Sequence, residues 1–211
     1  MPLLSGGFLK RTKNPEFLFL GGRLCLDFVN TEIIVNGELL DLLYDFDRWI
    51  AWHAAAGIVG TAERKGLARA WGGKAERMDA LVRAVTFRSE IRKMAGCIAS
   101  NEPIPKSVVE SINEVLRRGA VYGQLTPVER GFVRKAHRDV RDPVDLLVPI
   151  AEDATDLLCK GDRERVRKCG SPACVLFFYD TSRNRTRRWC SMDLCGNRAK
   201  VAAYFRRRRG G

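Results

Sequence analysis

Four of the seven cysteines fall in two pairs near the C-terminal end, Cys169-Gly-Ser-Pro-Ala-Cys174 and Cys190-Ser-Met-Asp-Leu-Cys195, with fifteen residues between the pairs. This spacing constrains the chain more than any other feature. The segment from Arg163 to Gly211 is too short to build an apolar core unaided, and such domains need a metal or disulfide staple. An odd cysteine count in a chain read as cytoplasmic favours a metal over a disulfide framework. Zinc takes four soft ligands in a tetrahedron, and two short knuckles joined by a hairpin supply them. Four thiolates leave no open coordination position, so one Zn2+ here is structural rather than catalytic. The competing reading is four free thiols in a small basic domain. Cys25, Cys97 and Cys159 are scattered in apolar or helical stretches and read as small core residues.

Around the knuckles, Val175 to Asp180 reads as a strand, Thr181 to Thr186 as a polar turn and Arg187 to Cys190 as the return strand. A helix capped by Ser191 or Asp193 then runs to about Arg209. Knuckle, hairpin and a second knuckle at a helix start make a treble-clef arrangement.

Charge is concentrated in the same place. Residues 163–211 hold 14 Lys+Arg against 3 Asp+Glu, a net +11, while the preceding 162 residues hold 23 against 22, a net +1. A field of that density draws in polyanions. On a helical wheel Cys195, Val201, Ala202 and Phe205 fall on an inward side, with Arg198 inside that arc. Lys200, Tyr204 and Arg207 fall outward, joined by Arg206, Arg208 and Arg209. The hairpin turn adds Arg183, Arg185, Arg187 and Arg188. These residues are the candidate contacts to phosphates or a major groove. Arg198 is expected to bind carbonyls or a carboxylate within the protein, and Lys168, Arg188 and Arg198 to offset the charge of the thiolates. Tyr179 and Trp189 read as hairpin core.

The first 162 residues read as mainly helical with small β elements, ending at Gly161-Asp162. Phe17 to Glu32 reads as a strand or hairpin, and Asn36-Gly37 as a turn. Helices are expected over Asp41 to Ala56, from Thr61 through Arg64, and over Lys74 to Ile98 with an apolar stripe of Met78, Leu81, Val82, Val85, Ile91 and Met94. Further helices span Ser107 to Arg118 and Pro143 to about Lys160. Ala120 to Leu125 and Phe132 to Val140 pair as a hairpin. Asp27, Asn30 and Thr31 have two readings: they cap a strand end and pin the next helix, or they form a ligand pocket or a contact with the zinc domain.

At Cys195-Gly196-Asn197-Arg198, with Lys200 two residues on, the sequence resembles the CGNR zinc finger. Asn197 and Arg198 are read as structural residues beside the metal. Gly21-Gly22-Arg23-Leu24-Cys25-Leu26-Asp27-Phe28-Val29-Asn30-Thr31 is similar to the Gly-rich turn and Leu-Asp-Phe-x-Asn-Thr of the ABATE domain, the usual partner of that finger. The resemblance implies a bacterial, stress-induced transcription regulator. Its finger would bind DNA, and its first domain, residues 1–162, would sense a signal or dimerise.

No HExxH, P-loop, Gly-x-Ser-x-Gly or dinucleotide fingerprint is present, so an enzyme is not expected. His53 and His137 stand alone and read as structural or exposed. No apolar run reaches the roughly 20 residues of a membrane helix. Met1 to Lys10 lacks a basic n-region, which fits a cytoplasmic protein. DNA is the first-choice partner. RNA, or a protein docked on the zinc module, stands as the alternative, and a homodimer is open.

Overall fold

A computed structural model describes residues 16–60, 66, 71, 73–137 and 140–209. It is mainly helical, with three separate two-stranded antiparallel sheets. The helix expected from Thr61 through Arg64 lies outside the described residues.

The first element is a short helix, α1 (Leu24–Val29), where the sequence suggested a strand. Cys25 to Val29 are all buried, Asp27 included, so the segment has no exposed face whose period would separate helix from strand. The hairpin of β1 (Glu32–Val35) and β2 (Glu38–Asp41) follows. It turns at Asn36 (φ 54°) and Gly37 (φ 90°), the pair of positive φ values that a tight hairpin demands. Helix α2 (Phe46–Ala55) starts five residues later than expected, where the Asp45 carboxylate accepts from the Arg48 N–H at 2.7 Å. Trp49, Ile50 and Trp52 face the core.

Helix α3 (Lys74–Ala99) is the longest element. Its buried stripe is Ala80, Ala84, Phe87, Arg88, Ile91, Met94 and Ala95. Ile91 and Met94 meet the expectation, whereas Met78 and Val82 are 57% and 55% exposed. The inward face combines Phe87, Ile91 and Met94 with three alanines and one arginine, so it is rotated away from Met78 and Val82. Arg88, 1% exposed, forms a bidentate pair with Asp41 at 2.7 and 2.6 Å, receives further support from Glu32 at 3.3 Å, and donates to the Thr31 hydroxyl at 2.9 Å. Burial alone would raise the Asp41 carboxyl, but the Arg88 guanidinium outweighs it and holds the group below the ordinary carboxylate range. The pair locks α3 to the β1–β2 hairpin.

Helix α4 (Lys106–Leu116) leads into the hairpin of β3 (Tyr122–Val128) and β4 (Gly131–His137). The Asp142 carboxylate caps a 3-10 turn over Pro143–Leu147, which continues as helix α5 (Val148–Cys159). His53 is fully buried between the Trp49 and Leu146 carbonyls, 2.9 and 3.1 Å from its ring nitrogens. Burial pushes its pKa down to about 4, against those two hydrogen bonds. The side chain of His137 lies outside the described residues.

The C-terminal segment departs from a simple hairpin. β6 (Phe177–Tyr179) pairs with β5 (Val166–Lys168), which precedes the first knuckle. No strand forms over Arg187 to Cys190. Strand β5 rests on α3, and Val166 and Phe177 are buried in the same apolar cluster as Trp49, Phe87 and Ile150. Ile33 and Leu42 of the first part pack instead with the four cysteines, Leu176 and Phe178. The two parts of the chain thus share both apolar clusters.

Candidate metal centre and nucleic-acid interface

The four cysteines of the two knuckles converge. Their sulfur atoms all lie within 4.8 Å of one another, and all four residues are buried. Cys174 Sγ is 3.8 Å from Cys190 Sγ, and Cys190 Sγ is 3.6 Å from Cys195 Sγ. A tetrahedron with metal–sulfur bonds of about 2.3 Å has sulfur–sulfur edges of about 3.8 Å, so the cage fits zinc. Among the described residues this is the only group of His, Cys, Asp or Glu gathered as metal ligands. The other thiols donate to Cys169, Cys174 foremost, and push its pKa far below that of a free cysteine. The same hydrogen bonds push the Cys174 and Cys190 thiols up, so metal binding releases protons from the cage.

The backbone shapes the cage. The first knuckle closes where Cys169 N–H donates to Leu176 O at 2.9 Å and Gly170 N–H to Arg188 O at 2.9 Å. Cys190 N–H donates to Cys169 Sγ at 3.4 Å. The Ser191 hydroxyl accepts from the Asp193 and Leu194 amides, settling which of the two expected residues caps the turn. A π-turn over Met192–Gly196 carries Cys195, and helix α6 (Asn197–Arg209) begins directly after it.

Among the described residues, helix α6 packs chiefly on the π-turn that starts it. Val201 and Phe205, expected to face inward, are 55% and 53% exposed, and Ala202 is exposed as well. The wheel assumed a neighbour on that side, and none is present among the described residues. Lys200, Tyr204, Arg207 and Arg208 are exposed on the same helix, and Arg208 donates to the Tyr204 hydroxyl at 3.2 Å. The side chains of Arg206 and Arg209 lie outside the described residues.

The arginines of the loop after β6 divide by role. Arg183 is exposed without a carboxylate partner among the described residues, and Arg188 lies 5.3 Å over the Trp189 ring. Arg185 instead pairs with Asp162 at 2.8 Å and with Glu164. Arg187 is turned into the protein: it donates to the carbonyls of Trp189, Leu20 and Cys190, and lies 4.3 Å over the Phe178 ring. Its position corrects the assignment of Arg187 to the contact surface. Arg198, as expected, binds within the protein, donating to Leu194 O at 2.7 Å and to Cys195 Sγ at 3.3 Å. Asn197 is exposed at the first position of α6 and makes no side-chain hydrogen bond among the described residues.

Asn30 is the residue whose role the sequence described most loosely. Its side chain pairs with both backbone groups of Phe177, donating to the carbonyl at 2.8 Å and accepting from the amide at 2.9 Å. It acts as a third strand beside β6. Arg92, absent from the sequence reading, bridges Val29 O at 2.6 Å and Val175 O at 3.2 Å while pairing with Glu32 at 2.7 Å. Asp27 accepts from Gly21 N–H at 2.7 Å, and the Gly21 carbonyl in turn accepts from Tyr179 N–H at 2.7 Å. A side chain at Gly21 would strike Leu26 and Asp27 at 2.8–2.9 Å, which accounts for the glycine. Burial pushes the Asp27 carboxyl up to about 6 despite the Gly21 bond. Thr31 donates to Phe28 O at 2.7 Å and supports Arg88. Asn30 therefore contacts the zinc module directly, Asp27 through Gly21, and Thr31 supports the first domain. A contact with the zinc domain was one of the two readings of this residue from the sequence, which did not identify the partner, Phe177, 147 residues away.

Fold and site together define a zinc-finger protein with a helical first domain. Residues 165–208 match the CGNR zinc finger. Residues 22–161 match ABATE, described as "Putative stress-induced transcription regulator", and with more than half of the chain matched the protein belongs to that family. No curated protein matches the chain. Among the described residues no helix is long and apolar enough to cross a membrane.

Proposed function

We propose that this protein is a DNA-binding transcription regulator rather than an enzyme, and that its structural zinc fixes helix α6 for entry into the major groove. The observation that carries this reading is the helix itself. Its described side chains are exposed apart from the half-buried Ala199 and Ala203, and it is anchored at one end by Cys195 and presents Lys200, Arg207 and Arg208 with no carboxylate partner among the described residues. A helix is the element that the major groove of duplex DNA admits, and cations placed along it neutralise phosphates. Exposed Arg183 and Arg188 extend the basic surface onto the loop beside the metal. Tyr204 offers an apolar and hydrogen-bonding edge to bases. The first domain, fastened to β6 by Asn30 and to Val175 by Arg92, sets the position of the finger and is the natural seat of regulation.

The test is the salt dependence of binding to a duplex of random sequence, followed by fluorescence anisotropy with single-stranded DNA and RNA as competitors. Replacing Lys200, Arg207 and Arg208 together by alanine removes up to three phosphate contacts, so the slope of log K against log[salt] becomes shallower by about three. An unchanged slope moves the interface elsewhere. Preferential competition by single strands points to RNA instead.

A further inference from the structure

The arginine that follows the last ligand is accounted for by the metal, not by nucleic acid. A Zn2+ held by four thiolates carries a net charge of −2, and a buried charge needs a compensating partner. Three nearby cations were candidates for that task. Lys168 is exposed and has no contact with a ligand sulfur, and Arg188 lies over the Trp189 ring. Arg198 alone, among the described residues, brings a cation to a ligand: its Nη2 donates to Cys195 Sγ at 3.3 Å. The same guanidinium reaches Leu194 O through Nε at 2.7 Å. It thus spans the carbonyl before the ligand and the ligand itself.

The local backbone explains why a long side chain is needed. The amides of both Cys195 and Gly196 turn back to Ser191 O at 3.0 Å, which makes the wide π-turn of Met192–Gly196. Arg198 sits one helical turn after Leu194 and three residues after Cys195, so its side chain folds back along the helix onto both. A side chain at residue 196 would meet the Met192 thioether at 2.7–2.8 Å and the Trp189 ring at 3.2 Å, so the glycine leaves room for both beside the metal ligand.

We propose that Arg198 is a positioning residue of the zinc centre: it holds Cys195 in place and stabilises its thiolate by a charged N–H···S hydrogen bond, and it is not a phosphate contact. Hydrogen bonds from such outer partners are worth about 10–100-fold in metal affinity. A hydrogen bond to a thiolate also lowers the energy of the sulfur lone pair, and so raises the energy of sulfur-to-metal charge transfer.

The experiment uses the full chain with Arg198→Ala, Arg198→Gln and Arg198→Lys, and Lys200→Ala as an exposed comparison. Zinc affinity is read by competition with a chromophoric chelator, and the charge-transfer band is read after loading with Co2+. Arg198→Ala and Arg198→Gln are expected to loosen zinc about 10–100-fold and to move the band to lower energy. Arg198→Lys recovers part of both, and Lys200→Ala changes neither. Native zinc affinity and a native cobalt spectrum in Arg198→Gln overturn the proposal. If Arg198→Ala does not fold, the Gln and Lys variants decide by the same comparison. In DNA binding, Arg198→Gln with zinc saturating keeps the salt slope, whereas a slope shallower by about one marks a phosphate contact and also overturns it. The metal readouts need no DNA, so they stand or fall apart from the nucleic-acid reading.

Discussion

Replacing Asn30 by alanine tests whether the zinc module is part of the first domain or an appendage. Asn30 is fully buried, and both ends of its amide are spent on the backbone of Phe177. Alanine leaves one buried N–H and one buried C=O without partners, at about 1–3 kcal/mol each. Water entering the vacated space would recover part, so the expected loss is about 2–4 kcal/mol, a large share of the roughly 5–15 kcal/mol of an ordinary domain. Asn30→Asp is expected to cost more near neutral pH, because its second oxygen would face the Phe177 carbonyl. The assay is urea unfolding of the zinc-loaded chain, followed by tryptophan fluorescence. Trp49 and Trp52 report the first domain and Trp189 the metal site. Since Leu176 and Phe178 flank the anchored residue and pack with the cysteines, zinc release to a chelator should also accelerate. A loss below about 0.5 kcal/mol with unchanged zinc release would refute the reasoning, because a paired buried amide cannot be so cheap to remove.

Two further outcomes follow from the same geometry. Cys195→Ser is expected to lose zinc and unfold residues 163–211, and to loosen the first domain as well, because Ile33 and Leu42 pack against the cysteine cluster; stoichiometric zinc with a native circular dichroism spectrum would contradict this. The pH dependence of stability should hold two opposed contributions. Asp27 has a folded pKa raised to about 6, so its contribution is present below about pH 4 and is lost as pH rises through 6. His53 has a folded pKa lowered to about 4, so its contribution is present above about pH 6.5 and is lost as pH falls through 4. The two offset each other in the native chain. Asp27→Asn, whose amide oxygen can still accept from Gly21, should therefore raise stability above pH 6 and unmask a loss on acidification; identical pH profiles for the two proteins would count against it.

The metal site was legible because its information is local. Cys169, Cys174, Cys190 and Cys195 announce themselves by spacing, and one short turn brings each pair to the same point. Long elements with punctuation were legible too: α3 ends before Pro103 and Pro105, and the β1–β2 turn sits on Asn36-Gly37. What failed depended on partners far away in sequence. Cys25 to Val29 are all buried and so carry no stripe, leaving helix and strand indistinguishable. The partner of β6 is β5 rather than Arg187 to Cys190, a choice set by docking on α3 and by Asn30. Arg187 looked like its neighbours in a run of arginines, and only the surrounding carbonyls distinguish it. The wheel of α6 assigned an inward side to Val201 and Phe205, which no described residue covers.

The central claim is that a zinc-organised basic helix reads duplex DNA. Selection of random duplex DNA by the full-length, zinc-loaded protein at physiological salt, beside a chelator-treated control, tests it most directly. The account predicts recovery of a defined motif that disappears with the metal. Salt-sensitive capture without any motif, or a motif that survives the chelator, would contradict it.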